Sequence, residues 1–344
     1  MHSMRSQTGF WSRRHITPGL PFARERKYTE MRHRNVGRQG LELPLLSLGL
    51  SSLFDRNSPL GEYREVMLHA FDKGIVSFDL STTCGALHPA VEEIFGIILN
   101  RDLRPYRESL VVSTRVGYGT AQRVNGWGSQ KFITESLERS LHRAGLDYVD
   151  IFYAHRYDPS VPLEETMQAL ASAVYRGRCL RVGISAYPSS KIEQAKALLS
   201  ELGVPLCAYR GPFSLFQQWG KMNLAEMLSE AGIGWISTDP LNGGILSTCT
   251  SSGPTLTRES IESSTEVQTQ LSCLSLMAAM RGQSIEQMAI SWVVNHPWIS
   301  SVVVDVSSRR QLDAVAIAAC SAGFTGDELA SINSMTVHCQ KLGR

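Results

Sequence analysis

From Leu46 onward, short apolar runs alternate with amphipathic stretches, and this alternation restricts the fold more than any other feature of the chain. A short apolar run closed by turn residues reads as a strand buried on both faces. Apolar residues at three- and four-residue spacing read as one face of a helix. Eight runs read as strands: Leu46 to Leu50, Ile75 to Asp79, Ser109 to Thr114, Val149 to Ala154, Leu180 to Ile184, Val204 to Tyr209, Gly234 to Thr238 and Ser301 to Val304. Helical spacing lies between them. Val66, Met67, Ala70 and Phe71 form one such face before Gly74, and Val91, Ile94, Phe95 and Ile98 another after Pro89. Ser129 can cap a helix carrying Ile133, Leu137 and Leu141, which Gly145 ends. Leu163 to Tyr175, Ser189 to Leu202, Leu224 to Ala231, two helices split by Gly282, Gln311 to Ala319 and Asp327 to Val337 complete the set.

Ahead of the first strand, Asn35 to Leu43 reads as a short hairpin turning at Gln39-Gly40. Thr248 to Ser264, rich in Ser and Thr, reads as a long loop. Strand and helix alternate with no Pro-rich linker, so the expected architecture is α/β, one (β/α)8 TIM barrel over residues 31–344. Residues 1–30 read as a basic, disordered extension.

Charge and composition remove several function classes. The chain has 344 residues and a formal net charge of +2. Residues 1–40 hold nine Lys or Arg against two Glu, a net of +7, which leaves −5 for the remainder. A mildly acidic body offers no basic face, so no nucleic-acid partner is expected. No apolar run reaches the ~18 residues of a membrane span, so no membrane partner is expected either. Seven dispersed cysteines without a C-x-x-C pair read as reduced thiols rather than a disulfide framework or zinc site, and a cytoplasmic location is expected. The first acid of the basic stretch is Glu25, a composition also compatible with organelle targeting; the plainer reading is a tail upstream of a start at Met31. His88, His142, His296 and His338 lack metal-ligand spacing and read as surface or packing residues; no metal is expected. Trp127 and Trp219 fall in loops, where they read equally as pocket lining or as packing of the mouth.

The chemistry is expected at VSFDLSTTCG (Val76 to Gly85), where an apolar strand ends in Asp79 and enters a loop carrying Cys84. Strand ends and the loops after them deliver functional groups to the C-terminal face of such a barrel. Arg115 and His155 likewise end or follow strands.

At RAGLDYVDIFYAHRYD (Arg143 to Asp158) and RVGISAY (Arg181 to Tyr187) the chain resembles the aldo-keto reductase superfamily, in the branch of bacterial glyceraldehyde-3-phosphate-type reductases and potassium-channel β-subunits. LSLGL (Leu46 to Leu50), VVSTRVGY (Val111 to Tyr118) and the Gln287 to Val294 helix extend the likeness from about Met31 to about Val337. The resemblance implies a barrel that binds NADPH without a Rossmann domain and reduces carbonyls, and no G-x-G-x-x-G follows any strand here. The family's catalytic set is Asp, Tyr, Lys and His. Asp79 and His155 match; Cys84 stands at the Tyr and Arg115 at the Lys. A thiol is shorter than a phenol by a ring, so it cannot reach a carbonyl placed for Tyr at the ~2.6–3.2 Å that general acid catalysis needs. Beside a guanidinium it also favours thiolate, a base or nucleophile. Cys84 reads equally as a small buried filler, and Arg115–Asp79 as a structural salt bridge at the mouth.

The resemblance also places the cofactor. Ser185 and Arg210 stand where the nicotinamide amide is bound, Arg210 replacing Gln, and Phe213 stands where an aromatic ring stacks on the nicotinamide. Pro240, Leu241 and Gly244 are retained after the seventh strand, with Asp239 beside the pyrophosphate position. After the eighth, Asp305 replaces a Gly and Ser308 an Arg; Ser307, Arg309 and Gln311 are the remaining candidates for the adenosine phosphates. Carboxylates there oppose a diphosphate, so NADPH is implied by the family but doubtful for this chain. The readings left open are an enzyme of altered, non-redox chemistry on a small carbonyl-containing molecule, an NADPH-dependent carbonyl oxidoreductase with a substitute proton donor, and a non-catalytic binding or scaffold protein. The expected partner is a small-molecule substrate, with homo-oligomerisation left open.

Overall fold

A computed structural model describes residues 31–50, 60–80, 89–116, 126–218, 221–247 and 265–336. Cys84, the Thr248 to Ser264 loop, Trp219 and the 1–30 extension lie outside them. Eight parallel strands close into a barrel: β3 (Leu46–Gly49), β4 (Ser77–Asp79), β5 (Val111–Arg115), β6 (Val149–His155), β7 (Cys179–Ser185), β8 (Leu206–Pro212), β9 (Gly234–Thr238) and β10 (Ile299–Asp305), the last pairing with β3. This is the expected (β/α)8 barrel. The strands are buried on both faces, against the barrel interior and against the outer helices, which is why they read as continuous apolar runs.

The helices follow the apolar spacing. Those described are α1 (Leu60–Asp72), α2 (Pro89–Ile98), α3 (Gln130–Ala144), α4 (Leu163–Tyr175), α5 (Ser189–Glu201), α6 (Met222–Ala231), α7 (Thr265–Met280), α8 (Ile285–Asn295), α9 (Arg309–Ala319) and α10 (Gly326–Thr336). Ser129 caps α3 by accepting from the Phe132 N–H, and Gly145 ends it in the left-handed conformation (φ 61°). Ser284 and Gln287 form a reciprocal capping box on α8.

One segment departs from the sequence reading. Ser109 does not open the third barrel strand: after α2 the chain continues as a π turn (Leu99–Leu103) and a 3-10 turn (Arg104–Ser109), and β5 begins at Val111. Asp102 holds the π turn against α1, accepting from Arg64 Nε and Nη2 at 2.8 Å each. Glu92 of α2, fully buried, accepts from Arg143 Nε of α3 at 2.6 Å and from Thr114 Oγ1 of β5 at 3.4 Å.

The hairpin closes the end of the barrel opposite the mouth. Strands β1 (His33–Asn35) and β2 (Glu42–Pro44) pair antiparallel. Val36 and Leu43 pack with Ile151, Tyr153, Cys207, Ala208, Ile236 and Val303 as a core of their own. Gly37 (φ 59°) lies so close to β9 that a Cβ there would sit 2.1 Å from the Gly232 carbonyl oxygen, so no other residue fits that turn.

Candidate active site

The strand register sets the layout of the mouth. His155, Ser185 and Arg210 are neighbours across β6, β7 and β8, and Asp79 neighbours Ser113 across β4 and β5. Arg115 neighbours Tyr153 one layer in from His155. At the ends of β6 and β7 the next residue, Arg156 (φ 61°) and Ala186 (φ 56°), is left-handed and donates its N–H to the carbonyl of Ser185 and Arg210 respectively. Non-glycine residues rarely adopt this conformation and gather at functional sites. Asp239, after β9, adopts it too (φ 52°). Trp127 Nε1 donates to the Arg156 carbonyl at 3.4 Å, tying the loop before α3 to this rim.

Asp79 is the hub. Its Oδ1 accepts from Ser113 Oγ at 2.7 Å. Its Oδ2 accepts from Arg115 Nη1 at 3.2 Å and from Arg210 Nη2 at 2.7 Å and Nε at 3.2 Å. All three charged residues are buried, Asp79 at 3%, Arg115 at 6% and Arg210 at 8% exposure. Burial alone would push the Asp79 carboxyl up. The guanidiniums of Arg210 and then Arg115, with the Ser113 hydrogen bond, outweigh it and hold the group below the usual carboxylate range.

The Arg115–Asp79 pair is the one expected from sequence. Arg210 is the addition. It sits four strands from β4, on the opposite wall, and reaches across the barrel to Asp79. The sequence holds a usable signal, since an arginine inside an apolar strand needs a buried counter-charge. The strand pattern alone does not say that Asp79 supplies it. Ser113 and Tyr153 escaped notice as well, although each lies two residues before a candidate and so on the same strand face.

His155 follows from this charge distribution. Burial, then the cations Arg115, Arg210 and Arg156, lower its pKa to about 3, against the opposing effect of Asp79. The imidazole is neutral across the physiological range. Its Nδ1 faces Ser185 Oγ at 3.1 Å. With the serine hydroxyl donating there, the ring proton sits on Nε2, as a donor to an incoming oxygen. In a titration followed through the ring-carbon resonances, His155 is expected to show no midpoint between pH 5 and pH 8, and one near its ordinary pKa of ~6.5 would contradict this assignment. The sign for stability follows. The unfolded chain takes up the proton below pH ~6.5 and the folded chain does not, so His155 withdraws stability as pH falls towards its folded pKa. Below the His155 side chain, burial raises the Tyr153 phenol well above its ordinary pKa, and its Oη has no hydrogen-bond partner among the described residues.

Phe213 is 1% exposed, stacked on Trp292 (centroids 5.1 Å, 21°) and flanked by Trp235 and His296. The ring is packed among these aromatics, and His296 also packs on Trp292 and Trp298. Asp239 Oδ1 accepts from the Gly243 N–H at 2.5 Å, in a turn with Pro240 buried and with Asn242, Gly243 and Gly244 left-handed. Leu241 of that turn packs on the main core. Burial and then nearby Asp305 outweigh the Gly243 hydrogen bond and raise the Asp239 carboxyl. Asp305 lies over Gly49, where a Cβ would come 2.4 Å from its Oδ1. At the start of α9, Ser307 N–H and Oγ donate to Gln311 Oε1 at 2.9 and 3.0 Å, and Ser308 Oγ accepts from the Gln311 N–H. Arg309 pairs with Glu65 at 3.3 Å.

The start of α9 is thus self-capped, the Phe213 ring is packed, Arg210 is turned onto Asp79, and Asp239 and Asp305 act on one another. Among the described residues, no group of three or more His, Cys, Asp or Glu is placed to hold a metal ion, and no helix is long and apolar enough to cross a membrane.

Residues 45–336 match the model of the aldo/keto reductase family. The chain belongs to the aldo/keto reductase family. It is also similar to the L-glyceraldehyde 3-phosphate reductases of Escherichia coli O157:H7 and Escherichia coli K12. Each is 38% identical over 325 residues, which cover 90% of this chain and 94% of the relative. Family members act on small molecules and typically use NAD(P)H. This aldo/keto reductase family member therefore has the family's barrel, with a site where, among the described residues, two buried guanidiniums meet one carboxylate.

Proposed function

We propose that this aldo/keto reductase family protein acts on a small carbonyl-containing molecule by stabilising the oxyanion of its enolate, without hydride transfer. The observation that carries the reading is the mouth itself: Asp79 shared by buried Arg115 and Arg210, next to a neutral His155. Donors fixed in a buried site act strongly on charge that develops there. A neutral imidazole polarises a carbonyl oxygen through Nε2–H without giving up its proton. Cys84, at the tyrosine position by resemblance, is assigned as the base that takes the α-proton. The resemblance sets Arg115, at the lysine position, beside it, and a guanidinium there would favour the thiolate. The proton leaves the α-carbon for sulfur, and the electron pair it leaves behind becomes the enolate, whose oxygen His155 holds in the positive field of Arg115.

The test is exchange of α-protons of hydroxyacetone and pyruvate in D2O, followed by proton NMR. Catalysed exchange that Cys84→Ala abolishes is the expected result; exchange that Cys84→Ala leaves intact removes the thiol from the mechanism. A second reading, an NADPH-dependent carbonyl reductase, draws on the 38% identity to L-glyceraldehyde 3-phosphate reductases. A fluorescence titration separates the two. Saturable NADPH binding with Kd near or below ~1 μM, worth roughly 8 kcal/mol, would favour the reductase; no binding at millimolar cofactor is expected.

A further inference from the structure

Arg210 is a charged side chain about nine-tenths buried, and Asp79 satisfies only one edge of its guanidinium. Nε and Nη2 both donate to Oδ2, the oxygen that Arg115 Nη1 also uses. Nη1 of Arg210 makes no hydrogen bond among the described residues and is not sealed from solvent. The local charge is also lopsided. Arg115, Arg210 and Arg156 all act on His155 with one sign, and Asp79 opposes them. A buried guanidinium with a free edge fits a planar or tetrahedral oxyanion, which it grips through paired N–H groups.

The register limits where that oxyanion lies. His155 and Arg210 are separated by β7 alone. Strands sit about 4.8 Å apart, so the two side chains start roughly 10 Å apart and converge towards the barrel axis. A ligand whose carbonyl oxygen meets His155 can reach Arg210 only with a group a few bonds away.

We propose that the mouth selects carbonyl compounds carrying a carboxylate or phosphate within a few bonds of the carbonyl carbon, and that Arg210 holds that group. This rests on the carbonyl-binding reading above. It gives Arg210 a task that the family resemblance does not, since the resemblance places a neutral amide there.

The experiment is calorimetric titration of the full chain with two matched pairs: pyruvate against hydroxyacetone, and glyceraldehyde 3-phosphate against glyceraldehyde. Each pair differs in the anion and keeps a short carbonyl skeleton. The anionic member is expected to bind about tenfold to a hundredfold more tightly, the range of a charge-assisted fork. Arg210→Gln should bring its affinity down to that of the neutral partner, and Arg210→Lys, which keeps the charge but not the fork, should restore part of it. The tighter of the two anions identifies carboxylate or phosphate as the group recognised. Equal binding of charged and neutral members to the wild-type chain overturns the proposal, whatever the fate of the variants. A preference that survives in folded Arg210→Gln overturns it as well. If no member of either pair binds, the carbonyl reading falls and this inference with it; neutral carbonyls that bind as well as anionic ones sink the inference alone.

Discussion

Asp79→Ala is expected to cost the barrel about 3–5 kcal/mol, the range for removing one partner of a buried charged group. The loss comes less from the hydrogen bonds than from what they leave behind. Arg115 and Arg210 share Asp79 Oδ2 from neighbouring and opposite strands, both under 10% exposed. Without the carboxylate, two like charges face each other in a poorly solvated interior. A denaturant unfolding curve should show a lower midpoint with little change in slope. Asp79→Asn tests the charge separately, because it retains an acceptor for Ser113 and the arginines; a small effect of Asn beside a large effect of Ala would mean that hydrogen bonding outweighs charge. The pH dependence has a definite sign. The folded pKa of Asp79 lies below its unfolded value, so its contribution is complete above the ordinary carboxylate pKa of ~3.9 and is lost as pH falls through the folded value. His155 begins to withdraw stability earlier, below pH ~6.5, so acid should weaken the fold in two stages.

Gly183→Ala is expected to destabilise by about 3 kcal/mol, near the upper end for an overpacked core. A Cβ there would lie 2.4 Å from Tyr153 Cε1, 2.5 Å from Cδ1 and 2.8 Å from the Ala208 carbonyl oxygen. The Tyr153 ring can move, but Ala208 is backbone of the next strand and cannot shift without breaking the β7–β8 ladder. Tyr153 neighbours Arg115 in register, so displacing the ring should also disturb the Arg115–Asp79 pair and reduce ligand binding at the mouth. Tyr153→Ala should cost less in the Gly183→Ala background than in the wild-type chain, because the added methyl fills part of the cavity it opens. Additive effects of the two substitutions would show that they do not communicate.

The barrel was legible because its strands are short apolar runs and its helices carry regular apolar faces, as from Val149 to Ala154 and at Ile133, Leu137 and Leu141. The π and 3-10 turns from Leu99 to Ser109 were not, because neither repeats at the helical period. Asp79, Arg115 and His155 stood out as polar residues ending apolar strands. The reach of Arg210 to Asp79 did not: it joins residues 131 positions apart, across a closure that no local pattern encodes. Phe213 shows the complementary limit. Its place in the chain matched a stacking position, but what covers an aromatic ring depends on Trp292 and His296, about eighty residues away, which only the folded packing brings together.

Because Arg210 stands on the wall opposite Asp79, their bond works as a crossbar. The mouth cannot gape or pinch along that diameter while the bond holds, so its aperture is set by the length of one arginine. Discrimination by molecular size then falls to the surrounding loops, which can lengthen, shorten or change sequence without disturbing the brace. A member of this family built in this way can change its loops while the Asp79–Arg210 bond stays in place.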